Sequence, residues 1–160
     1  MIKISVCDDD EGQLTFFKQC FMEYNEKHEE KIEANFYKSV QSLLNEKKFS
    51  PDVYFLDIEL QDGNGLKLAG RIRTRNPQIP IVFITSHEEF MPEAFQVHAY
   101  QYLNEKKNAQ AVENVLNQLA DYFSEQNQIF SFQTYGEMIS LDCRDIICFT
   151  SEKRKNIVIA

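Results

Sequence analysis

The chain has 160 residues, with 17 Lys and Arg against 25 Asp and Glu, a formal net charge of −8. That length gives one ordinary domain, or one domain plus a fragment of another, and 43% hydrophobic residues suffice for a core, which excludes a disordered tail. No apolar run reaches the roughly 20 residues that span a bilayer, and the start Met1-Ile2-Lys3-Ile4-Ser5-Val6 meets acid at Asp8, unlike a secretory signal. A cytoplasmic protein without membrane contact is the expectation.

The charge is unevenly placed. Residues 129–160 carry four bases and four acids, so the whole acidic excess lies in residues 1–128. An acidic segment of that kind repels a phosphate backbone, which excludes DNA binding as its own task. The cysteines Cys7, Cys20, Cys143 and Cys148 show no paired C-x-x-C spacing, and buried free thiols are the simplest reading.

In chain order, Ile2–Val6, Ile32–Tyr37, Val53–Leu56, Ile81–Ile84 and Ala99–Leu103 have the length and composition of strands. Between them apolar residues recur at helical spacing: Leu14, Phe17, Phe21 and Tyr24; Val40, Leu43 and Leu44; Leu66, Ala69 and Ile72; Met91, Ala94 and Phe95. A last helix carries Ala111, Val112, Val115, Leu116, Leu119 and Phe123. Five strand-then-helix units predict an α/β fold, a parallel sheet covered by helices on both faces. Val-Tyr-Phe-Leu and Ile-Val-Phe-Ile lack alternation, as strands buried on both faces should. After Phe123 the pattern changes. Residues 124–128 are polar and linker-like. Ile129–Phe132, Met138–Leu141, Asp145–Phe149 and Asn156–Ile159 then follow as short strands without helices. Residues 129–160 are too few to fold alone as a β-domain, so they are expected to be the truncated start of a β-rich one.

Ligands of an open parallel sheet gather beyond the C-terminal strand ends. There the chain offers Asp8-Asp9-Asp10 after the first strand and Asp57 after the third. Thr85-Ser86 follow the fourth, and Asn104-Glu105-Lys106-Lys107 the fifth. Tyr37-Lys38-Ser39 after the second strand reads as a helix start. Crowded carboxylates repel one another unless a cation intervenes. The donors are all oxygen, which selects Mg²⁺ over zinc. Asp57 then suits a nucleophile towards phosphorus, Thr85 a hydrogen-bond donor to the phosphoryl group, and a lysine a neutralising charge. For Asp10 a plain helix cap or surface charge is the favoured reading.

Asp8-Asp9, the run Phe55-Leu56-Asp57-Ile58-Glu59-Leu60 with Gly65-Leu66 beyond it, and Thr85-Ser86 resemble a response-regulator receiver domain over residues 1 to about 125. The resemblance implies a flavodoxin-like strand order 2-1-3-4-5. It also implies Asp57 as phosphoacceptor, with Asp9 on Mg²⁺ directly and Asp8 largely through water. Glu59 would offer its backbone carbonyl to the metal, Thr85 would contact the phosphoryl oxygen, and Tyr102 would be an aromatic switch. The phosphoryl group would come from a sensor histidine kinase, in a protein that switches rather than a metabolic enzyme. Phe83-Ile84-Thr85-Ser86-His87 and the tail segments Met138–Leu141 and Ile146–Phe149 are similar to the LytTR-type subgroup of Gram-positive transcription regulators. The expected organisation is a receiver at 1–123, a linker at 124–128 and the start of a LytTR-type DNA-binding domain at 129–160. Promoter DNA would be bound only by the full-length protein, and phosphorylation would favour a homodimer.

One departure stands out. Receivers carry Lys-Pro two residues beyond the pair matching Tyr102-Leu103, and strict counting puts Glu105 there. Lys106 is the preferred substitute, which requires a loop one residue longer. Two rival readings compete. A haloacid-dehalogenase-like phosphatase would use Asp8 as nucleophile and Asp10 as the second acid, but Gly12 stands where Thr or Val is expected, no cap insertion appears, and Asp57 goes unexplained. A flavodoxin-like binding module would need a Ser/Thr/Gly-rich phosphate loop where this chain has Cys7-Asp8-Asp9-Asp10-Glu11.

Overall fold

The computed structural model describes residues 1–85, 88–103, 107–126, 129–134, 137–142, 148–152 and 155–159. Its elements, in chain order, are β1 (Ile2–Cys7), α1 (Glu11–Lys27), β2 (Ile32–Tyr37), α2 (Val40–Asn45), β3 (Val53–Asp57), β4 (Glu59–Leu60), β5 (Gly63–Asn64), α3 (Gly65–Arg75), β6 (Ile81–Ile84), α4 (Met91–Gln96, after a 3₁₀ turn Glu88–Phe90), β7 (Gln101–Leu103), α5 (Ala109–Gln126) and β8 to β11 (Ile129–Thr134, Glu137–Asp142, Cys148–Glu152, Lys155–Ile159). Two compact units divide within α5, Met1–Leu116 and Asn117–Ala160.

The first unit is a five-stranded parallel sheet in the order β2-β1-β3-β6-β7. This is the expected 2-1-3-4-5 order once the small β4–β5 hairpin is counted. Every residue of β6 is buried, and so are all but one of β1 and of β3, whereas the edge strands β2 and β7 are partly exposed. That is why the central strands read as continuous apolar runs. Successive β3 residues serve opposite faces. Phe55 meets Phe17 and Phe21 of α1 edge-to-face, with ring centroids 5.9 and 5.8 Å apart. Leu56 belongs to the core on the other side, with Leu43, Leu68, Ile72 and Phe83. Aromatic pairs in this geometry add about 0.5–1.5 kcal/mol beyond the area they bury.

Polar residues cap the helix starts. Asp10 caps α1, its Oδ1 accepting from the N–H groups of Gly12 at 2.7 Å and Gln13 at 3.4 Å. Ser39 caps α2 through the N–H of Ser42 at 3.0 Å, and Asn64 caps α3.

Two boundaries differ from the expectation. The fifth strand begins at Gln101 rather than Ala99, because the Ala99 N–H is already used: it donates to the Ala94 carbonyl at 3.1 Å while His98 donates to Phe95 at 3.0 Å. This is a Schellman stop with His98, at φ 52°, in the place glycine usually takes. The last helix continues to Gln126, so Ser124, Glu125 and Gln126 are helical rather than linker. Ser124 and Glu125 are exposed, as polar residues at a helix end suit, and no Gly or Pro interrupts the helix. In the second unit, β8 and β9 form one antiparallel hairpin and β10 and β11 another.

Candidate functional site

Three carboxylates meet at the C-terminal edge of the sheet. One oxygen from each of Asp8, Asp9 and Asp57 lies within 4.8 Å of the others. β1 delivers the first two and the adjacent β3 delivers the third, since Cys7 pairs in register with Leu56. Asp8 and Asp57 are buried, at 0% and 2% exposure, and Asp9 is half-buried. Backbone donors fix each group. Asp8 Oδ1 accepts the Asp10 N–H at 2.8 Å, Asp57 Oδ1 accepts the Ile58 N–H at 2.8 Å, and Asp9 Oδ2 accepts the Gln61 N–H at 3.1 Å. Carboxylates held this close and this dry repel one another unless a cation lies between them. An all-oxygen donor set with solvent access on one side, at Asp9, matches Mg²⁺, which keeps several waters.

Thr85 is fully buried at the end of β6, one residue beyond Ile84, which pairs with Asp57. Its N–H donates to the Leu103 carbonyl at 3.1 Å, which ties the end of β6 to that of β7. Tyr102 pairs with Phe83 across β7 and β6, is half-buried, and borders a groove with Met91, Ala94 and the exposed Phe95. Glu59 stands in β4, two residues past Asp57, with its side chain exposed. Lys106 and Glu105 lie outside the described residues, as do Ser86 and His87. Lys107 is described, and its ammonium stands 3.8 Å from where a β-carbon on Gly12 would lie, beside the Asp10 cap of α1.

Asp10 bears on the phosphatase alternative. Its Oδ1 is committed to the first turn of α1, and Asp57, which that alternative leaves idle, belongs to the cluster.

The sequence reading missed two supports. The first is Asp62, whose two carboxylate oxygens accept the N–H groups of Val40 and Gln41, each at 2.9 Å. Those bonds, the Gln41 N–H foremost, hold its carboxyl below the usual range and tie the loop after Asp57 to the start of α2. Hydrogen bonds to the charged form lower a carboxyl's pKa in this way. No signal in the sequence separated Asp62 from other surface acids. The second is the role of Gly65, noted only as part of a motif. A β-carbon there would stand 2.0 Å from the carbonyl oxygen of Asp57, while the Gly65 N–H donates to Ile58 O at 2.9 Å. Only glycine lets α3 start against the backbone of Asp57. Close by, Cys7 is buried behind the acids. Burial first, then the charges of Asp62, Asp8, Asp57 and Asp9, push its thiol up to about 12.

Residues 4–117 match the family model described as the response regulator receiver domain. A response regulatory protein of Yersinia pestis is 30% identical over 122 residues, 75% of this chain and 49% of that protein. The sensory transduction protein LytR of Staphylococcus haemolyticus is 30% identical over 111 residues, covering 69% and 42%. The chain thus spans about half the length of these curated relatives or less. Among solved structures, the response regulatory domain of mrkE from Klebsiella pneumoniae superposes with a TM-score of 0.68 at 22% identity, over 78% of this chain and all of that one. TrrA of Thermotoga maritima, solved with Mg²⁺ and beryllium fluoride, gives 0.64 at 22% identity over 74% and 99%. The fold, the acidic edge and the family match agree: the chain belongs to the response regulator receiver domain family, with its receiver domain at residues 4–117.

Proposed function

We propose that Asp57 accepts a phosphoryl group from a sensor histidine kinase and that this controls transcription through a DNA-binding domain beginning at residue 129. The observation that carries the reading is the meeting of the Asp8, Asp9 and Asp57 carboxylates within 4.8 Å at two strand ends. In the transfer, a carboxylate oxygen of Asp57 forms the new O–P bond, the N–P bond of a phosphohistidine breaks, and the released imidazole nitrogen takes up a proton. Asp8 and Asp9, with Asp57 and the Glu59 carbonyl, would hold Mg²⁺, which when bound neutralises phosphoryl oxygens. The Thr85 hydroxyl would donate to the phosphoryl group, and Lys106 would supply the remaining positive charge. Inward movement of Thr85 pulls on Leu103 through their backbone bond and lets Tyr102 repack beside α4. The exposed Phe95 makes that face the surface where a second copy would pair. The receiver catalyses only its own phosphorylation and slow hydrolysis. The two hairpins β8–β9 and β10–β11 suit the opening of a LytTR-type β-rich domain, in a cytoplasmic regulator. Among the described residues no helix is long and apolar enough to cross a membrane.

The test is labelling with acetyl phosphate and Mg²⁺, followed by intact mass. One phosphoryl group is expected on the native chain, none on Asp57→Asn, and a strongly reduced yield on Asp9→Ala. Unchanged labelling of Asp57→Asn would falsify this reading.

A further inference from the structure

Helix α3 carries Lys67, Arg71, Arg73 and Arg75 and no acid, in a chain whose net charge is −8. The three arginines differ in their engagement. Arg73 is half-buried and consumed by backbone: its guanidinium donates to the carbonyls of Val97 at 3.0 Å, His98 at 2.7 Å and Ile79. Arg71 and Arg75 are exposed, and neither forms an ion pair among the described residues. They stand one helical turn apart, where like charges repel.

Both border a groove of about 230 Å³ beside the start of β3, at the opposite end of that strand from Asp57. Leu43, Leu44, Pro51 and Ile72 give it an apolar wall. Glu46, the acid on its rim, is turned onto its own loop: Oε1 accepts the N–H groups of Lys48 at 2.7 Å and Phe49 at 3.4 Å. The pattern is an apolar slot with two uncommitted guanidiniums on its edge. Its volume is below the roughly 300–1,000 Å³ usual for small-molecule sites and suits a single side-chain anchor. A nucleic acid would meet the acidic excess of the whole unit, whereas a short peptide senses charges within about 10 Å.

We propose that this groove docks an acidic peptide segment of a partner protein, with one apolar side chain seated against Leu44 and Ile72 and flanking carboxylates on Arg71 and Arg75. Arginine suits the role because its fork pairs with carboxylates bidentately. The site is separate from the acidic edge and does not depend on phosphoryl transfer at Asp57.

Fluorescence anisotropy of the whole chain tests it with two sets of labelled heptapeptides. One set has a central Leu, Phe or Met flanked by Asp and Glu; the other has Asn and Gln in place of the acids. The acidic set should bind at least about tenfold tighter than the amide set, with affinity falling as salt rises. Arg71→Glu with Arg75→Glu should abolish binding, Arg71→Lys with Arg75→Lys should keep part of it, and Leu44→Gln should weaken it. These side chains are exposed or partly so, and urea unfolding verifies that each variant is folded. Equal binding of the two sets, binding by neither, or unchanged binding to the folded charge-reversal variant overturns the proposal. So does a dimer of the chain alone that this variant dissociates, because the occupant would then be a second copy. Tighter binding of a single-stranded oligonucleotide than of the acidic set likewise overturns it.

Discussion

Asp57→Asn removes one of three clustered charges while keeping the side chain's shape and an acceptor for the Ile58 N–H, 2.8 Å away. Two unit charges at 4.8 Å, the outer limit of the cluster, repel by about 3 kcal/mol at an effective dielectric constant near 20. Asp57 faces two such neighbours, but Asp9 is half-exposed and solvent screens its share, so a net gain of about 1–3 kcal/mol is expected for metal-free protein. Urea unfolding in EDTA should show a higher midpoint for the variant with an unchanged slope, the mark of altered stability without altered compactness. Millimolar Mg²⁺ should then stabilise the native chain by mass action and the variant much less. The gap between them therefore narrows or inverts. If Asp57→Asn is less stable than the native chain in EDTA and responds equally to Mg²⁺, the carboxylates neither strain the fold nor share a cation, and the reasoning fails.

The remaining expectations concern the frame around the site. Gly65→Ala forces its new carbon against the Asp57 carbonyl at 2.0 Å and should cost about 1–3 kcal/mol or more, with phosphoryl acceptance lost as well. Gly70→Ala in the same helix meets nothing within 4 Å and should add about 0.5–1 kcal/mol; urea curves for the pair that look alike would contradict both. Arg73→Ala leaves the carbonyls of Ile79, Val97 and His98 without their donor and should destabilise by about 3 kcal/mol, whereas Arg71→Ala should change the unfolding midpoint little. Burial first, then the nearby acids, raises the Cys7 thiol from 9.0 to about 12, so the folded state binds its proton more tightly than the unfolded chain. The resulting stability is complete below pH 9, is lost as pH climbs towards about 12, and should be missing from the alkaline limb of Cys7→Ala. A thiol reagent at pH 8 should label Cys7 and Cys20 slowly until denaturant is added, since both are buried.

Much of the frame was legible because burial imposes a pattern on sequence. β3 and β6 are flanked by helices on both faces, and their runs are apolar without alternation. Acids at the ends of β1 and β3 signal a site because carboxylates on adjacent parallel strands must converge. Asp8, Asp9 and Asp57 meet as that rule requires. What stayed hidden depends on backbone hydrogen bonds, which composition does not record. The Schellman stop at His98 takes the Ala99 N–H and shortens β7. Asp62 caps a helix 22 residues earlier in the chain, a contact that no local pattern encodes. Periodicity ended the last helix at Phe123, yet polar residues extend it to Gln126 because a helix end needs no apolar face.

The loop after β7 shows where counting stops being informative. Strict alignment to the aromatic-aliphatic pair assigns the lysine place to Glu105, and a one-residue shift assigns it to Lys106. Both rest on the assumption that a loop's residues project in sequence order. A lysine reaches its target through a flexible four-carbon stem, so three consecutive positions can deliver an ammonium to nearly the same point. Lys107 illustrates this: its ammonium already stands over Gly12 at the start of α1, 3.8 Å from a built β-carbon. A cation thus stands beside the Asp10 cap of α1, two residues beyond the place the motif names. Comparing phosphoryl lifetimes of Lys106→Ala and Lys107→Ala tells which ammonium the phosphoryl group meets. A shortened or lengthened lifetime in the first alone supports Lys106, and a change in the second alone moves the role to Lys107. No change in either variant would mean that neither ammonium sets the phosphoryl lifetime.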